Sequence, residues 1–440
     1  MVSGSGKFFI GCLFGLVLFL APLSPAARDV SLGEAIQISQ EHSYRLKSAR
    51  ADSARADHEY KAAGAARYPT LSVEGVSYYI DETATAELPF GQSLELGTKD
   101  NYQIDVRLSA PLYTGGRLAG LIGARRAERQ ARAGMVRADE YQTALECQRA
   151  YLGLMVAEAL LAAAEASRER IEILRKDVLN LHANGLADSL DILETELAYQ
   201  QVLQMTVEKG TDRRQAEEVL AKLLGLSPGT TISPSEVIGE PEPPVSADSI
   251  SVADIKRVEL DIMESRLTAA RQFHRLARAD FFPALSGYVG YSAGKPNRNF
   301  IESDWNDNFI AGLALNWEFN LGGRTVNSSR AARQSVHILE SEKRELEEGL
   351  ILQTNLARDR LMLAFRRFDI SRTEYRLAQR KYHLAELKQE AGHLTLNRLL
   401  EMEAELTSAE QLYQASMISF YIARAEFLYS LGSPDIFGGL

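Results

Sequence analysis

The chain is built twice from one unit. Asp100-Asn101-Tyr102 recurs as Asp307-Asn308-Phe309, Gly115-Gly116-Arg117 as Gly322-Gly323-Arg324, and Leu224-Gly225 as Leu431-Gly432, each pair 207 positions apart. Gly185 with Gly392, and Ile192-Leu193-Glu194 with Leu399-Leu400-Glu401, keep the same offset. An offset held without a gap from residue 100 to residue 225 marks an internal repeat, and it restricts the fold to architectures that use one unit twice. Upstream, Tyr68-Pro69-Thr70-Leu71-Ser72 matches Phe282-Pro283-Ala284-Leu285-Ser286 at an offset of 214, so a loop between Pro69 and Asn101 is seven residues longer than its counterpart.

Between the halves, residues 227–251 hold Pro228, Pro234, Pro241, Pro243 and Pro244 among Gly, Ser and Glu, which is a linker that no continuous helix can cross. Ahead of the first half, Lys7, the apolar run Phe8 to Leu20 and the small residues Ser24-Pro25-Ala26-Ala27 have the layout of a secretory leader cleaved after Ala26. Cys12 falls inside that leader and is not read as a lipid anchor. The organisation expected is therefore a leader over 1–26, a first repeat over 27–226, the linker over 227–251 and a second repeat over 252–440.

Loss of Lys7 with the leader takes the net charge from −10 to −11, and an acidic chain is a poor partner for nucleic acid. Cys147 is then the sole cysteine, so no intrachain disulfide can form and packing has to supply the stability. After the leader there is no run of 18 apolar residues, so a membrane would have to be crossed by strands.

Strand signals are present in both halves. Tyr102, Ile104, Val106, Leu108, Ala110 and Leu112 alternate with Gln103, Asp105, Arg107 and Ser109. Phe309, Ala311, Leu313, Leu315, Trp317 and Phe319 do likewise, opposite Asn316, Glu318 and Asn320. Strands of about 10 residues with one apolar and one polar face have the length and polarity of transmembrane β-strands. Leu71 to Ile80 and Leu285 to Ser292 complete the hairpins, with Val73, Tyr79, Val289 and Tyr291 facing outward, and the loops 81–99 and 293–307 face solvent. Four strands cannot close a barrel, and an open edge in lipid leaves unpaired backbone groups, so several copies have to contribute to one barrel.

The remaining sequence reads as helices too long for a compact domain. No proline occurs from Gly116 to Ala183 or from Gly323 to Ala391, and roughly 67 helical residues would reach about 100 Å. Leu361, Ala364, Phe368, Ser371, Tyr375, Ala378, Tyr382 and Ala385 follow steps of three and four, a seam suited to knobs-into-holes packing. Short turns at Ala183-Asn184-Gly185-Leu186 and Glu390-Ala391-Gly392-His393 end the rods, and helices return from Asp188 to Leu224 and from Thr395 to Leu431. Shorter helical stretches, 31–64 and 251–280, precede the first strand of each half.

These residues resemble the TolC family of outer-membrane efflux proteins over essentially the whole mature chain. The likeness rests on Ser31-Leu32-Gly33-Glu34-Ala35-Ile36, the Tyr-Pro-Thr-Leu-Ser entry to the first strand, the exit Pro111-Leu112-Tyr113-Thr114-Gly115-Gly116-Arg117 and the two helical turns. The resemblance implies a homotrimer: a 12-stranded outer-membrane barrel, four strands per chain, continued by an α-helical coiled-coil tunnel through the periplasm. It further implies a passive exit duct for tripartite efflux or type I secretion, joined to a periplasmic adaptor and an inner-membrane transporter.

By the same resemblance the adaptor docks at Asn184, Gly185 and Leu186 and at Ala391, Gly392 and His393, where the family's usual valine before each glycine is missing. The periplasmic gate would fall on Arg398 and Glu401, with Asp191 and Glu194 in the first repeat, and Arg398 stands where the family usually has an acid. Catalysis, cofactor and metal binding have no support: the histidines lack metal spacing, and neither a P-loop, a nucleophile elbow nor a dinucleotide fingerprint occurs. The competing reading is a non-conducting coiled-coil scaffold of the envelope.

Overall fold

A computed structural model describes residues 28–244, 251–297, 301 and 304–438, so the leader expected over 1–26 lies outside the described residues. The first half runs β1 (Arg28–Val30), α1 (Leu32–His42), α2 (Tyr44–Ala65), β2 (Thr70–Tyr79), β3 (Ala84–Leu88), β4 (Gln92–Leu96), β5 (Asp100–Tyr113), α3 (Arg117–Ala183) and α4 (Ser189–Leu224). After β6 (Ile232–Pro234), the second half runs α5 (Val258–Arg278), β7 (Ala284–Lys295), β8 (Asn306–Asn316), α6 (Arg324–Glu390) and α7 (Leu396–Leu431).

The two hairpins form one antiparallel sheet in the order β2-β5-β7-β8. Its register puts Val73, Val106, Tyr291 and Phe309 in one row, and Leu71, Leu108, Val289 and Ala311 in the next. Directly opposed residues share a face, so the outward residues expected from the alternation within the regularly paired strands fall on the same apolar side. The other side carries the row Glu74, Asp105, Ser292 and Asn308, and the Arg107 guanidinium, which reaches across to within 5.6 Å of the Tyr288 ring in the neighbouring row. Strands β2 and β8 each have one neighbour, so both edges of the sheet are open in the single chain.

Three sequence expectations are corrected. Strand β8 ends at Asn316, so Trp317, Glu318, Phe319 and Asn320 lie in the bend before α6. There the Trp317 indole N–H donates to the Phe281 carbonyl at 3.3 Å and its ring meets Phe319 at 4.6 Å, which uses both aromatics as a corner instead of a strand face. The loop 81–99 is not bare, because β3 and β4 pair into a separate ribbon turned at Phe90 (φ 81°) and Gly91 (φ 75°). The helical stretch 31–64 is broken at Ser43, whose backbone N–H caps the end of α1 at Ser39 while its hydroxyl accepts from Leu46 at the start of α2.

Helices α3 and α6 are each 67 residues long, about 100 Å of unbroken rod. Side by side the helices make a wall of four columns: α2 and α4 in the first, α3 in the second, α5 and α7 in the third, α6 in the last. The predicted seam faces α7, with Leu361, Phe368, Ser371, Tyr382 and Ala385 buried and the Tyr375 ring stacked on Tyr413 at 5.2 Å. One stretch of α3 is long and apolar enough, by length and composition, to cross a membrane. Here that apolarity serves packing, because Tyr151, Leu152, Leu154, Ala163 and Ala164 lie buried along the rod.

Midway along the wall, one cluster gathers the chain's distant segments. Val30, Leu32, Ile36, Tyr151, Leu154, Leu220, Leu224, Ile232 and Ile436 are buried together, and β1 pairs in parallel with β6 of the linker. The Tyr151 hydroxyl donates to the Val30 carbonyl at 3.0 Å, and the Gln148 amide to the Ile436 carbonyl at 2.6 Å. Each large apolar side chain buried here stabilises by roughly 1.5–3 kcal/mol. Cys147 sits in the same cluster as a free thiol, which burial pushes up to about 11, so it is unreactive at neutral pH.

Beyond β6 the linker straps back over α6 and α7. Glu240 accepts from Arg372 at 3.1 Å and from the Tyr413 hydroxyl at 3.2 Å, and the Tyr421 hydroxyl donates to the Gly239 carbonyl at 3.0 Å. The Arg372 hydrogen bond holds the Glu240 carboxyl below the usual carboxylate range. A depressed native pKa means that the contact stabilises at neutral pH and fades as pH falls through that native value. Glu240→Ala is accordingly expected to speed limited proteolysis of the linker several-fold at pH 7, with the difference from wild type shrinking in acid.

Candidate functional site: the two helical tips

Both hairpins end in the same turn, built by a glycine in the left-handed region. At the first tip, Gly185 (φ 72°) donates to the His182 carbonyl at 2.9 Å and Leu186 to the Leu181 carbonyl at 2.9 Å. At the second, Gly392 (φ 72°) donates to Gln389 at 2.9 Å and His393 to Lys388 at 2.8 Å. This is the Schellman pattern, which satisfies the last carbonyls of α3 and α6. A Cβ at either glycine would meet no atom within 4 Å, so backbone conformation alone requires glycine there. Asn184, Gly185 and Leu186, and Ala391, Gly392 and His393, are all exposed, with Leu186 at 75%.

The returning helices start differently. Asp188 caps α4 in a reciprocal capping box, its N–H bonded to the Asp191 carboxylate at 3.0 Å. The equivalent residue before α7, Thr395, makes no side-chain cap bond, and the position matching Asp191 is Arg398. A cation in the first turn opposes the helix dipole, where an anion would favour it. Arg398 is ion-paired with Glu401 one turn on, while Glu194 accepts from the Asn397 amide at 2.9 Å and so ties the first hairpin to the second. The structure thus brings Arg398 to Glu401 and Glu194 to Asn397; within the chain, Asp191 serves its own helix cap.

A further cluster escaped the sequence reading. Glu403 is only 3% exposed, and its Oε1 accepts from the Ser167 hydroxyl at 2.8 Å, from Arg170 Nε at 3.1 Å and from the Thr407 hydroxyl at 2.8 Å. Arg170 also donates to the Thr407 oxygen at 2.9 Å, so this buried polar knot locks α3 of one hairpin to α7 of the other. Its signal was available: Glu403 falls between Leu399 and Leu406 on the stripe that buries both leucines, a core position occupied by a carboxylate. Arg170 could not be paired with it from sequence, because the two are 233 positions apart.

Two changes probe these tips. Arg398→Glu recreates the capping box on Thr395 and removes the adverse charge, and it is expected to stabilise the start of α7 by about 1 kcal/mol, read as slower amide exchange at residues 396–400. Arg170→Met leaves Glu403 buried without its cation at a cost of about 3 kcal/mol, read as amide exchange roughly 100-fold faster where α3 meets α7.

With this geometry, comparisons with known proteins are informative. The sequence matches the family described as outer membrane efflux protein over residues 35–226 and 250–432, one match for each repeat. No curated protein sequence matches the chain. A membrane protein from Pseudomonas aeruginosa superposes with a TM-score of 0.79 at 19% identity, covering 92% of this chain and 94% of that one. The outer membrane protein VceC from Vibrio cholerae gives a TM-score of 0.75 at 17% identity over 91% and 96% of the two chains. The MtrE outer membrane channel of Neisseria gonorrhoeae, in its open state, gives 0.74 at 17% identity over 91% and 89%. At these identities the likeness establishes the fold.

Proposed function

The chain belongs to the outer membrane efflux protein family, and from that premise we propose that three copies close one 12-stranded barrel and one continuous helical tube, gated at the tips. Its place is the outer membrane and its role is efflux, with the helical part in the periplasm. The observation that carries the proposal is the four-stranded sheet with two open edges and one apolar face. Antiparallel alternation makes β8 of one copy and β2 of the next run in opposite directions, so the edges can pair without changing the pattern. Two copies would give about 8 strands, whose interior is filled by side chains; three are the fewest that leave a bore.

Support for the tube comes from the wall's outer columns. Leu356, Leu363, Ile370, Leu377 and Leu384 of α6 recur every seven residues and are 48 to 64% exposed, a heptad stripe left open to solvent among the described residues. On the opposite edge, Leu186 and then Leu190, Leu193 and Leu197 of α4 are exposed at steps of three and four. An edge stripe on each side is what a head-to-tail ring requires, and closure at three satisfies both stripes. Substrates would pass through the bore without chemistry, driven by an inner-membrane transporter and coupled through a periplasmic adaptor seated on the exposed tips. Glu401 with Arg398, together with Asp191 and Glu194, would form the closing ring.

Planar-bilayer recording tests the duct: purified oligomer should form discrete channels, and protein that inserts yet never conducts would leave only a scaffold. Ile370→Lys with Leu377→Lys places two charges in the α6 stripe and should shift the oligomer to monomers in detergent, read by light scattering. Bulky β-branched residues at both Gly185 and Gly392 should abolish efflux in cells while assembly persists; unaltered efflux would remove the tips from docking. For the gate, Glu401→Ala frees Arg398 and should raise single-channel conductance.

A further inference from the structure

Charge is distributed unequally between the two ends of the sheet. At the end where strands become helices, segments 60–68, 114–124, 273–283 and 320–336 contain eight Lys and Arg against a single acid, Asp280. At the opposite end, the described residues of 81–99, 296–297, 301 and 304–307 contain six acids against one base, Lys99. In an acidic chain a basic zone of this kind is a local feature. Lys61 and Arg117 have partners in Asp57 and Asp280. The other six, Arg67, Arg275, Arg278, Arg324, Arg330 and Arg333, are exposed and make no ion pair among the described residues.

These six arginines lie beside an exposed apolar collar. Arg67 precedes Tyr68, Arg278 lies one turn before Phe281 and Phe282, and Arg324 lies one turn after Leu321; all four apolar residues are exposed, as are Trp317 and Phe319. Aromatic side chains concentrate at the boundary between hydrocarbon and headgroups, and the headgroup layer beyond it is roughly 5–7 Å deep. One helical turn rises about 5 Å, so Arg67, Arg278 and Arg324 fall within that layer. Arg275 and Arg330 follow within another two turns and Arg333 within three, one to two Debye lengths (about 8 Å each) at physiological salt.

We propose that these arginines form a phosphate-binding collar for anionic phospholipids of the periplasmic leaflet, and that the collar fixes the depth and orientation of the sheet. The inference rests on reading that sheet as membrane-spanning. Guanidinium groups suit the task because each can present two parallel N–H donors to a phosphate and remains charged at any relevant pH. Six free cations on each copy form a surface whose attraction is worth about 1 kcal/mol per residue near an anionic leaflet. Acidic loops at the far end oppose insertion in the reverse sense.

The test uses the full protein in neutral detergent, with equal amounts of phosphatidylglycerol and phosphatidylcholine added, and native mass spectrometry to count retained lipids. Wild type should retain phosphatidylglycerol in preference, with the preference falling as ionic strength rises. Substituting Arg67→Gln, Arg278→Gln and Arg324→Gln together should reduce it about tenfold or more. The exposed tunnel arginines serve as the charge-matched control, and Arg344→Gln, Arg366→Gln and Arg380→Gln together should leave it unchanged. Equal retention of both lipids by wild type, equal loss in the two triple variants, or displacement of the lipid by millimolar inorganic phosphate would each overturn the proposal. So would a collar variant that alters the ion selectivity of the channel but keeps its lipid, since the arginines would then line the bore. Failure of the sheet to enter membranes would appear separately, as loss of both lipids.

Discussion

Unpaired backbone groups at two strand edges govern this molecule. Each open N–H or C=O in hydrocarbon costs several kcal/mol, and β2 and β8 each present a full strand of them. No rearrangement of one chain removes that cost, because the sheet has four strands and a closed barrel needs at least about twice as many. The apolar face commits the sheet to lipid, and lipid in turn commits the chain to copies of itself. On the proposed membrane-spanning reading, assembly is therefore a condition of the fold.

The helical part inherits that condition. Each strand hairpin continues into a rod of 67 residues, so the sideways order of the strands carries over to the order of the columns, and the outermost columns carry the exposed leucine stripes. Midway, the cluster around Tyr151 and Ile232 binds the first strand, the linker and the carboxyl-terminal turn to the wall, which keeps two otherwise parallel hairpins in one unit. Nearer the tips, hydrophobic packing is joined by the Arg170 and Glu403 knot, the sole deeply buried carboxylate among the described residues.

Most of this was legible because its signals are periodic and doubled. The proline-free runs gave both rods to within a residue, and the alternation from Tyr102 to Ala110 gave the apolar face of the sheet. What was missed depended on contacts that periodicity does not encode. Trp317 continues the strand alternation, yet it turns the corner because Phe281 offers it a carbonyl. Ser43 breaks a helix that composition would continue, because one serine can cap both sides. The ribbon of β3 and β4 was hidden in Glu, Thr and Gly, and Glu403 was read as one charge among many because its partner lies on a distant helix. At the tips, duplication located both glycines, while the capping difference between Asp191 and Arg398 had meaning only once the helix starts were fixed.

That difference gives the two tips unequal stability: α4 begins on a reciprocal capping box, and α7 begins on an uncapped threonine with a cation in its first turn. For the proposed gate this inequality has consequence only if several tips meet on one axis. The number of copies is therefore the decisive quantity. Native mass spectrometry of the mature protein, released from neutral detergent without cross-linking, should give a single species of three chains. A stable monomer or dimer as the membrane-extracted form would contradict the account, because its sheet edges would have to be satisfied by something other than a neighbouring copy.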